Sequence, residues 1–445
     1  MVHGIMLGAD EIIRILNKNG YEAYYVGGCV RDALLGEKPH DYDFTTSAKP
    51  EECCEVFRSA GYSVIETGIK HGTVSVVLNK KVYEVTTFRS DGEYADNRHP
   101  QSVEFVSSLR EDVARRDFTI NAIAYHPEKG IIDFFGGKQD LNDKVIRCVG
   151  EPVKRFEEDA LRILRALRFA GRLGFTIEEK TSKAVKQCKG LLKNISAERI
   201  YSELCGILKT PKCADIIREY KDVFGVFMPE ILDMVGFEQK SRWHVYDVFE
   251  HTMVALENTP NDILIRLAIL FHDMGKPHVC TEDEQGFRHF KGHQKVSCEI
   301  ARNILKRLKA DNDTIQRVCN LVLHHDDRIS AEESAVLRLI RRMGEDTERS
   351  IYVEKADHSA QNQNMVAKRC VELLEIENLY KKIKSDKDSC VFLTDLEISG
   401  KDVIACGVSE GKQIGEILNA LLEEVTEKRL PNKREALINY VKQII

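Results

Sequence analysis

The chain has 445 residues, 43% of them hydrophobic and 31% charged, with a net charge of −6. That length exceeds one ordinary core and asks for about three domains at roughly 150 residues each. An acidic balance excludes a protein that coats nucleic acid indiscriminately. No apolar run reaches the roughly 20 residues that cross a bilayer, so no membrane association is expected. The N-terminal MVHGIMLGADEIIRI lacks the basic-then-apolar order of a secretory signal. The 13 cysteines form no CxxC pair, so reduced thiols in the cytoplasm are expected, not disulfides or a zinc framework.

Helical spacing over Asp10–Asn19 comes first, then the strand-like EAYYVGG, HDYDFTT, GTVSVVL and KVYEVTTF, with a second helix over Glu51–Ala60. IIDFFGGKQDL reads as a strand, a glycine turn and a helix start. From Phe156 onward nearly every segment has helical periodicity. The expected fold class is therefore α+β, a mixed sheet-and-helix head followed by an all-α remainder. The expected boundaries are 1–145 for the head, 146–225 for a helical neck, 226–365 for a helical body and 366–445 for a helical tail. Residues 151–210 carry 13 Lys and Arg against 8 Asp and Glu, a net of +5 that suits a confined polyanion site. The loop Ser90–Gln101 is the most polar segment of the head.

Within the head, GGCVRDALLGEKPHDYDFTT concentrates the chemistry. Gly27 and Gly28 end a strand and open a helix, where backbone N–H groups can approach a phosphate and Arg31 can add charged hydrogen bonds. Asp41 and Asp43 are two apart, so on a strand they share a face. Two carboxylates so close repel unless cations lie beside them. Two Mg2+ ions suit oxygen ligands of this kind, with Glu84 in KVYEVTTF as the third carboxylate.

With these motifs in this order, the head resembles that of the class II tRNA nucleotidyltransferase (CCA-adding enzyme) and bacterial poly(A) polymerase superfamily. GGCVRDALLG with DYDF matches its first motif, and RRDFTINA (Arg115–Ala122) its ribose motif. DFFGG and EEDALRILRALRFA match the hinge and base-recognition motifs. The resemblance implies a DNA polymerase β-like nucleotidyltransferase head and addition of C, C and A to the 3′ end of tRNA from CTP and ATP. It implies that Arg116 and Asp117 meet ribose and phosphate, and that Asp159 and Arg162, on one helix face, read the base edge. Cytosine and adenine both offer an amine beside an unprotonated ring nitrogen, which one acceptor and one donor fork satisfy; guanine and uracil do not. Arg165 and Arg168 then hold the triphosphate or the templating side chains. The region FRSAGYSVIETGIKHGTVSVVL lacks the basic run of poly(A) polymerases, and TTFRSDGEYADNRHPQSVEFVSSL resembles the loop used for the terminal A. A-only addition and poly(A) synthesis stay open as alternatives.

In the second half, AILFHDMGKP resembles the signature of HD-domain phosphohydrolases. His251, His272, Asp273 and Asp357 would bind one divalent ion, a transition metal included, and His293 with His324 (or His325) a second. His244 is expected to be structural. An HD phosphohydrolase with a nucleotide-sensing head, and an RNA-binding chaperone with a retired head, are the competing readings. Oligomeric state is left undetermined.

Overall fold

Seven strands make one mixed sheet: β1 (Ala23–Val26), β2 (Asp43–Thr46), β3 (Ser63–Ile65), β4 (Thr73–Leu78), β5 (Lys81–Thr87), β6 (Ile123–His126) and β7 (Gly130–Asp133). Their spatial order is β3-β4-β5-β2-β1-β6-β7. Burial with a period of two sets their faces. In β4, Val74, Val76 and Leu78 turn inward; in β5, Tyr83, Val85 and Thr87 do, leaving Glu84 exposed. Strands β2 and β5 run parallel, in a register that pairs Asp43 with Glu84, while β1 is antiparallel to both β2 and β6. Residue partners in a ladder project to the same face, so these two acidic side chains are brought side by side.

This computed structural model describes residues 9–69, 72–91, 103–386, 390–409 and 411–445. It divides into two compact units, Met1–Pro229 and Glu230–Ile445. The expected bounds 1–145 and 146–225 lie within the first unit, and the expected body, 226–365, starts four residues before the second. Most of the polar loop Ser90–Gln101 lies outside the described residues.

Helices α1 (Asp10–Lys18), which buries Ile12, Ile13, Ile15 and Leu16, α2 (Gly28–Leu34) and α3 (Pro50–Ser59) accompany the sheet. After it come α4 (Gly137–Asp143), α5 (Pro152–Glu158), α6 (Leu161–Leu173), α7 (Glu179–Cys188) and α8 (Ala197–Leu208). One expectation needs correcting here. EEDALRILRALRFA is not one helix, because Asp159 adopts an extended backbone (φ −139°, ψ 102°) between α5 and α6. Its carboxylate accepts the Leu161 N–H at 3.1 Å, and such local side-chain capture of the backbone competes with helix continuation.

In the second unit, aspartate and asparagine caps fix where helices begin. Asp247 accepts the Glu250 N–H ahead of α9 (Val248–Glu257), and Asp262 those of Leu264 and Ile265 ahead of α10 (Ile263–Phe271). Next come α11 (His293–Arg307) and α12 (Asn312–His324), the latter capped by Asp311. They are followed by α13 (Thr347–Ser359) and α14 (Gln363–Ser385), capped by Asn362. A separate apolar cluster over 390–441, including Val403, Leu421, Leu437 and Val441, is the core of the C-terminal helices.

Candidate functional site

Gly27 has φ 79°, and a Cβ there would lie 2.6 Å from the Arg116 Nη1. The turn is therefore glycine because its backbone is left-handed and because a guanidinium rests against it. Arg116 has a buried Nε with no hydrogen-bond partner. Burial lowers its pKa, opposed by Asp112 and, more weakly, by Asp43 and Asp117. Arg31, expected to meet the triphosphate, points inward here. It is buried, with Nε 2.8 Å from Asp32 and Nη1 2.7 Å from the Asn121 Oδ1. Its guanidinium lies over the Phe169 ring, so it braces the turn from behind.

Asp43 opens β2 and Asp41 stands just before it, both exposed, with Glu84 exposed on the neighbouring strand. Although Asp43 is open at one side, the protein around it raises its carboxyl above the ordinary value. Arg116 counters that rise and Asp41 adds to it. A carboxylate burdened by a like charge is one that gains from a cation. The three carboxylates, exposed on adjoining segments, are thus a fitting set of oxygen ligands for magnesium.

Asp117 is buried, and its Oδ1 accepts the Phe118 N–H at 2.8 Å and the Asn121 amide at 3.0 Å. Its Oδ2 accepts Arg165 Nε at 2.8 Å and Nη2 at 2.6 Å. Burial would raise this acid, yet Arg165 and those hydrogen bonds hold it at about 2. The pair's contribution to folding is complete above the ordinary aspartate value and is lost as pH falls through about 2.

Asp159 and Arg162 do not pair with each other. The Arg162 guanidinium is pinned by Glu158 (2.8 Å) and by the carbonyls of Arg155 (3.2 Å) and Arg115 (3.0 Å). Asp159 is held by Arg199 Nη2 at 3.1 Å, from α8. Arg168 is held by Glu203 of the same helix at 2.7 Å. The guanidiniums of Arg31, Arg165 and Arg168 all lie over Phe169. The arginines of this basic stretch are thus largely spoken for internally. Exposed cations on and just after α7 include Lys180, Lys183, Lys186 and Lys193.

In the second unit, the imidazoles of His251, His272, His293 and His325 converge. Each Nδ1 lies 2.7 to 3.3 Å from a backbone carbonyl, of Ala360, Ile269, Phe290 and Val322 respectively. A carbonyl only accepts, so each Nδ1 carries a proton and each Nε2 is the atom left to take a second proton or a metal. Those Nε2 atoms face one another, His251 to His272 at 3.4 Å and His293 to His325 at 3.2 Å. They also face carboxylates: His251 is 2.8 Å from Asp357, His272 3.2 Å and His293 3.3 Å from Asp273. Asp273 is buried, with the Lys276 ammonium 2.6 Å from one of its oxygens. Lone pairs and carboxylates packed this way repel unless a cation joins them. Burial disfavours a charge on His272, but Asp273 and Asp357 outweigh it and hold the imidazole up at about 10; that proton occupies a place a metal suits better. Among the described residues, two trios converge within 4.8 Å: His251, His272 and Asp357, and His272, Asp273 and His325.

His324 is corrected by this geometry. Its Nδ1 lies 2.7 Å from Asp327, away from the cluster, while its neighbour His325 points in. His244, expected to be structural, lies edge-on to His251 at 5.2 Å and lines the cavity of about 580 Å3 that opens on the cluster. We expect His325→Ala to weaken cobalt or zinc binding by at least about tenfold, and His324→Ala to leave it unchanged, as read by titration calorimetry.

Residues 23–147 match the poly A polymerase head domain, 174–232 the probable RNA and SrmB-binding site of polymerase A, and 280–441 the tRNA nucleotidyltransferase domain 2. The CCA-adding enzyme of Enterococcus faecalis is 35% identical over 444 residues, covering 98% of this chain and 95% of its own. The chain belongs to the CCA-adding enzyme family. Another member, from Geobacillus thermodenitrificans, is 46% identical over 52% of this chain and 55% of its own. The crystal structure of the Bacillus stearothermophilus CCA-adding enzyme in complex with CTP is 29% identical and superposes with a TM-score of 0.73, covering 99% of this chain and 97% of that one. The Thermotoga maritima CCA-adding enzyme complexed with tRNA, at 21% identity and TM-score 0.62, shares the fold.

Family membership makes this chain a nucleotidyltransferase with a polymerase-type head. Around that head the sequence reading missed Glu158, Arg199 and Glu203, which hold the arginine and aspartate of the base-recognition motif. SAERIYSEL does place Arg199 and Glu203 four apart, on one helix face. That spacing was the available signal, but nothing local names their partners 35 and 40 residues upstream.

Proposed function

We propose that the chain adds C, C and A to the 3′ end of tRNA from CTP and ATP, without a nucleic-acid template, releasing pyrophosphate. The observation that carries this reading is the fixing of Arg162 and Asp159 by separate protein partners. A donor fork and an acceptor held in this way can test a base edge as a template would. The tRNA 3′-hydroxyl attacks the α-phosphate beside the exposed carboxylates of β2 and β5. Asp41, Asp43 and Glu84 would hold magnesium, which when bound would supply acidity to that hydroxyl and charge stabilisation to the pyrophosphate. The Gly27–Gly28 turn and Arg116 accept the phosphates, and Asp117 orients Arg165 beside them. The setting is the cytoplasm, in keeping with thirteen free thiols and with the absence of any membrane-length apolar helix among the described residues.

The acceptor arm of tRNA meets Lys180, Lys183, Lys186 and Lys193. Replacing them with Gln is expected to weaken tRNA binding and to reduce the slope of log affinity against log salt by roughly one for each phosphate no longer neutralised, leaving CTP affinity unchanged. The defining experiment incubates tRNA lacking its 3′ end with each labelled nucleotide alone and with CTP and ATP together. Extension by two C and one A, then arrest, supports the reading. A-only or unlimited A addition supports the specialist or poly(A) alternatives.

A second reading concerns the histidine cluster alone. His251, His272, Asp273 and Asp357, with His293 and His325, would hold one or two divalent ions. Metal bound there would supply an activated water for phosphoester hydrolysis. The favouring observation is the cavity above it, lined by Arg242, Lys276, Arg288 and Lys291, cations suited to a phosphate. Phosphate release that persists without extension, and is lost on His272→Ala, would establish it.

A further inference from the structure

Away from both sites, two cysteines meet between packed helices. Cys298 stands on α11 and Cys319 on α12. The Cys319 sulfur lies 3.6 Å from the Cys298 carbonyl oxygen, which makes the two residues neighbours across α11 and α12. Arg302, one turn along α11, places Nη2 3.9 Å from the Cys298 sulfur. Both cysteines are among the residues lining a cavity of about 500 Å3, as are Arg302, Arg317, Arg341 and Arg342. Arg317 is paired with Asp346, and Arg342 with Asp327, so the wall is cationic but not bare. Cys319, and then Arg302, pull the Cys298 thiol below its ordinary value against the effect of burial, while the Cys319 thiol is pushed up. One sulfur is thus prepared to attack and the other to follow.

We propose that Cys298 and Cys319 form a thiol–disulfide exchange site whose oxidant is a small anionic disulfide drawn in by the arginines. The Cys298 thiolate attacks one sulfur of the reagent. The reagent's S–S bond breaks, and its other half leaves as a thiolate with the bonding pair. Cys319 gives its proton to that thiolate and attacks the Cys298 sulfur, expelling the second half. Two protein thiols are oxidised to one disulfide, and the reagent is reduced to two thiols. The bond ties α11 to α12, the helices that carry His293 and lead into His325.

The test treats the folded full chain with oxidised glutathione, or with the uncharged 2-hydroxyethyl disulfide, and follows intact mass and peptide maps. Expected results are loss of two hydrogens with a bridge joining Cys298 to Cys319, faster with the anionic reagent. Cys319→Ser should accumulate a mixed disulfide at Cys298, Cys298→Ser should leave Cys319 unreacted, and Arg302→Met should slow the first step several-fold. Nucleotide incorporation should be unchanged in both serine variants, which shows that they fold. The proposal is overturned if both thiols stay reduced in the folded chain while other cysteines react, or if the adduct in Cys319→Ser maps elsewhere.

Discussion

Asp43→Ala is expected to cut nucleotide incorporation by at least about 10^3-fold, some 4 kcal/mol of transition-state stabilisation, while tRNA binding stays within about twofold of the parent. The asymmetry follows from where the residue stands. Asp43 is at the mouth of the sheet, beside Glu84 in register and near Asp41, whereas the exposed lysines suited to RNA are on and after α7. If these carboxylates hold magnesium as proposed, removing one would take an oxygen ligand from a set of three. It also removes the charge that Arg116 faces across the Gly27 turn. Asp43→Asn tests the charge alone, since it keeps the shape, and should lose nearly as much. Acidification of the parent offers a second check. Because burial raises the Asp43 carboxyl above an ordinary aspartate while no cation is bound, the magnesium concentration needed for activity should rise as pH drops. A carboxyl raised on folding binds its proton more tightly in the folded chain, so this group favours folding at low pH and opposes it above its folded value. Activity should therefore fail on the acid side while the fold holds. Single-turnover extension and filter binding on the same preparations separate chemistry from affinity.

The second large effect concerns the base. Asp159→Ala and Arg162→Ala should each reduce the preference for CTP over UTP by about 10- to 100-fold, the worth of one good base-edge hydrogen-bond pair. Arg162 is locked by Glu158 and two carbonyls, so its fork does not have to be ordered when a nucleotide arrives. Such preorganisation turns a mismatched edge into buried, unpaired donors and acceptors rather than a tolerated slip. Arg199 acts one step back, as a positioning residue for Asp159. Arg199→Met should raise KM for CTP and ATP and relax discrimination with little change in kcat, and Arg199→Lys should recover part of it. Competition assays with CTP and UTP on one tRNA give the ratios. Undiminished discrimination in Asp159→Ala would remove the base-reading role.

Much of this was legible in the chain. Alternating apolar residues announced β4 and β5, and the same alternation sends Glu84 outward beside Asp43. The Gly27 turn was readable because left-handed backbone before a helix calls for glycine. What failed depended on geometry finer than periodicity. Asp159 left the helix because its carboxylate captured the Leu161 N–H, a local competition that helical spacing does not register. Arg31 turned inward because Asn121, ninety residues later, supplies its acceptor. His324 and His325 are neighbours whose directions differ by about 100° on a helix, and only the way α12 packs against α10 and α11 decides which one faces Asp273. Long-range pairs such as Arg199 with Asp159 carry no local signature at all.

The measurement that bears most directly on the central claim is an anomalous-scattering map from crystals soaked with Mn2+ and CTP. Manganese density in contact with Asp41 and Asp43, with the cytosine edge against Asp159 and Arg162, is the expected result. Density confined to the histidine cluster, or a cytosine bound away from α6, would contradict it.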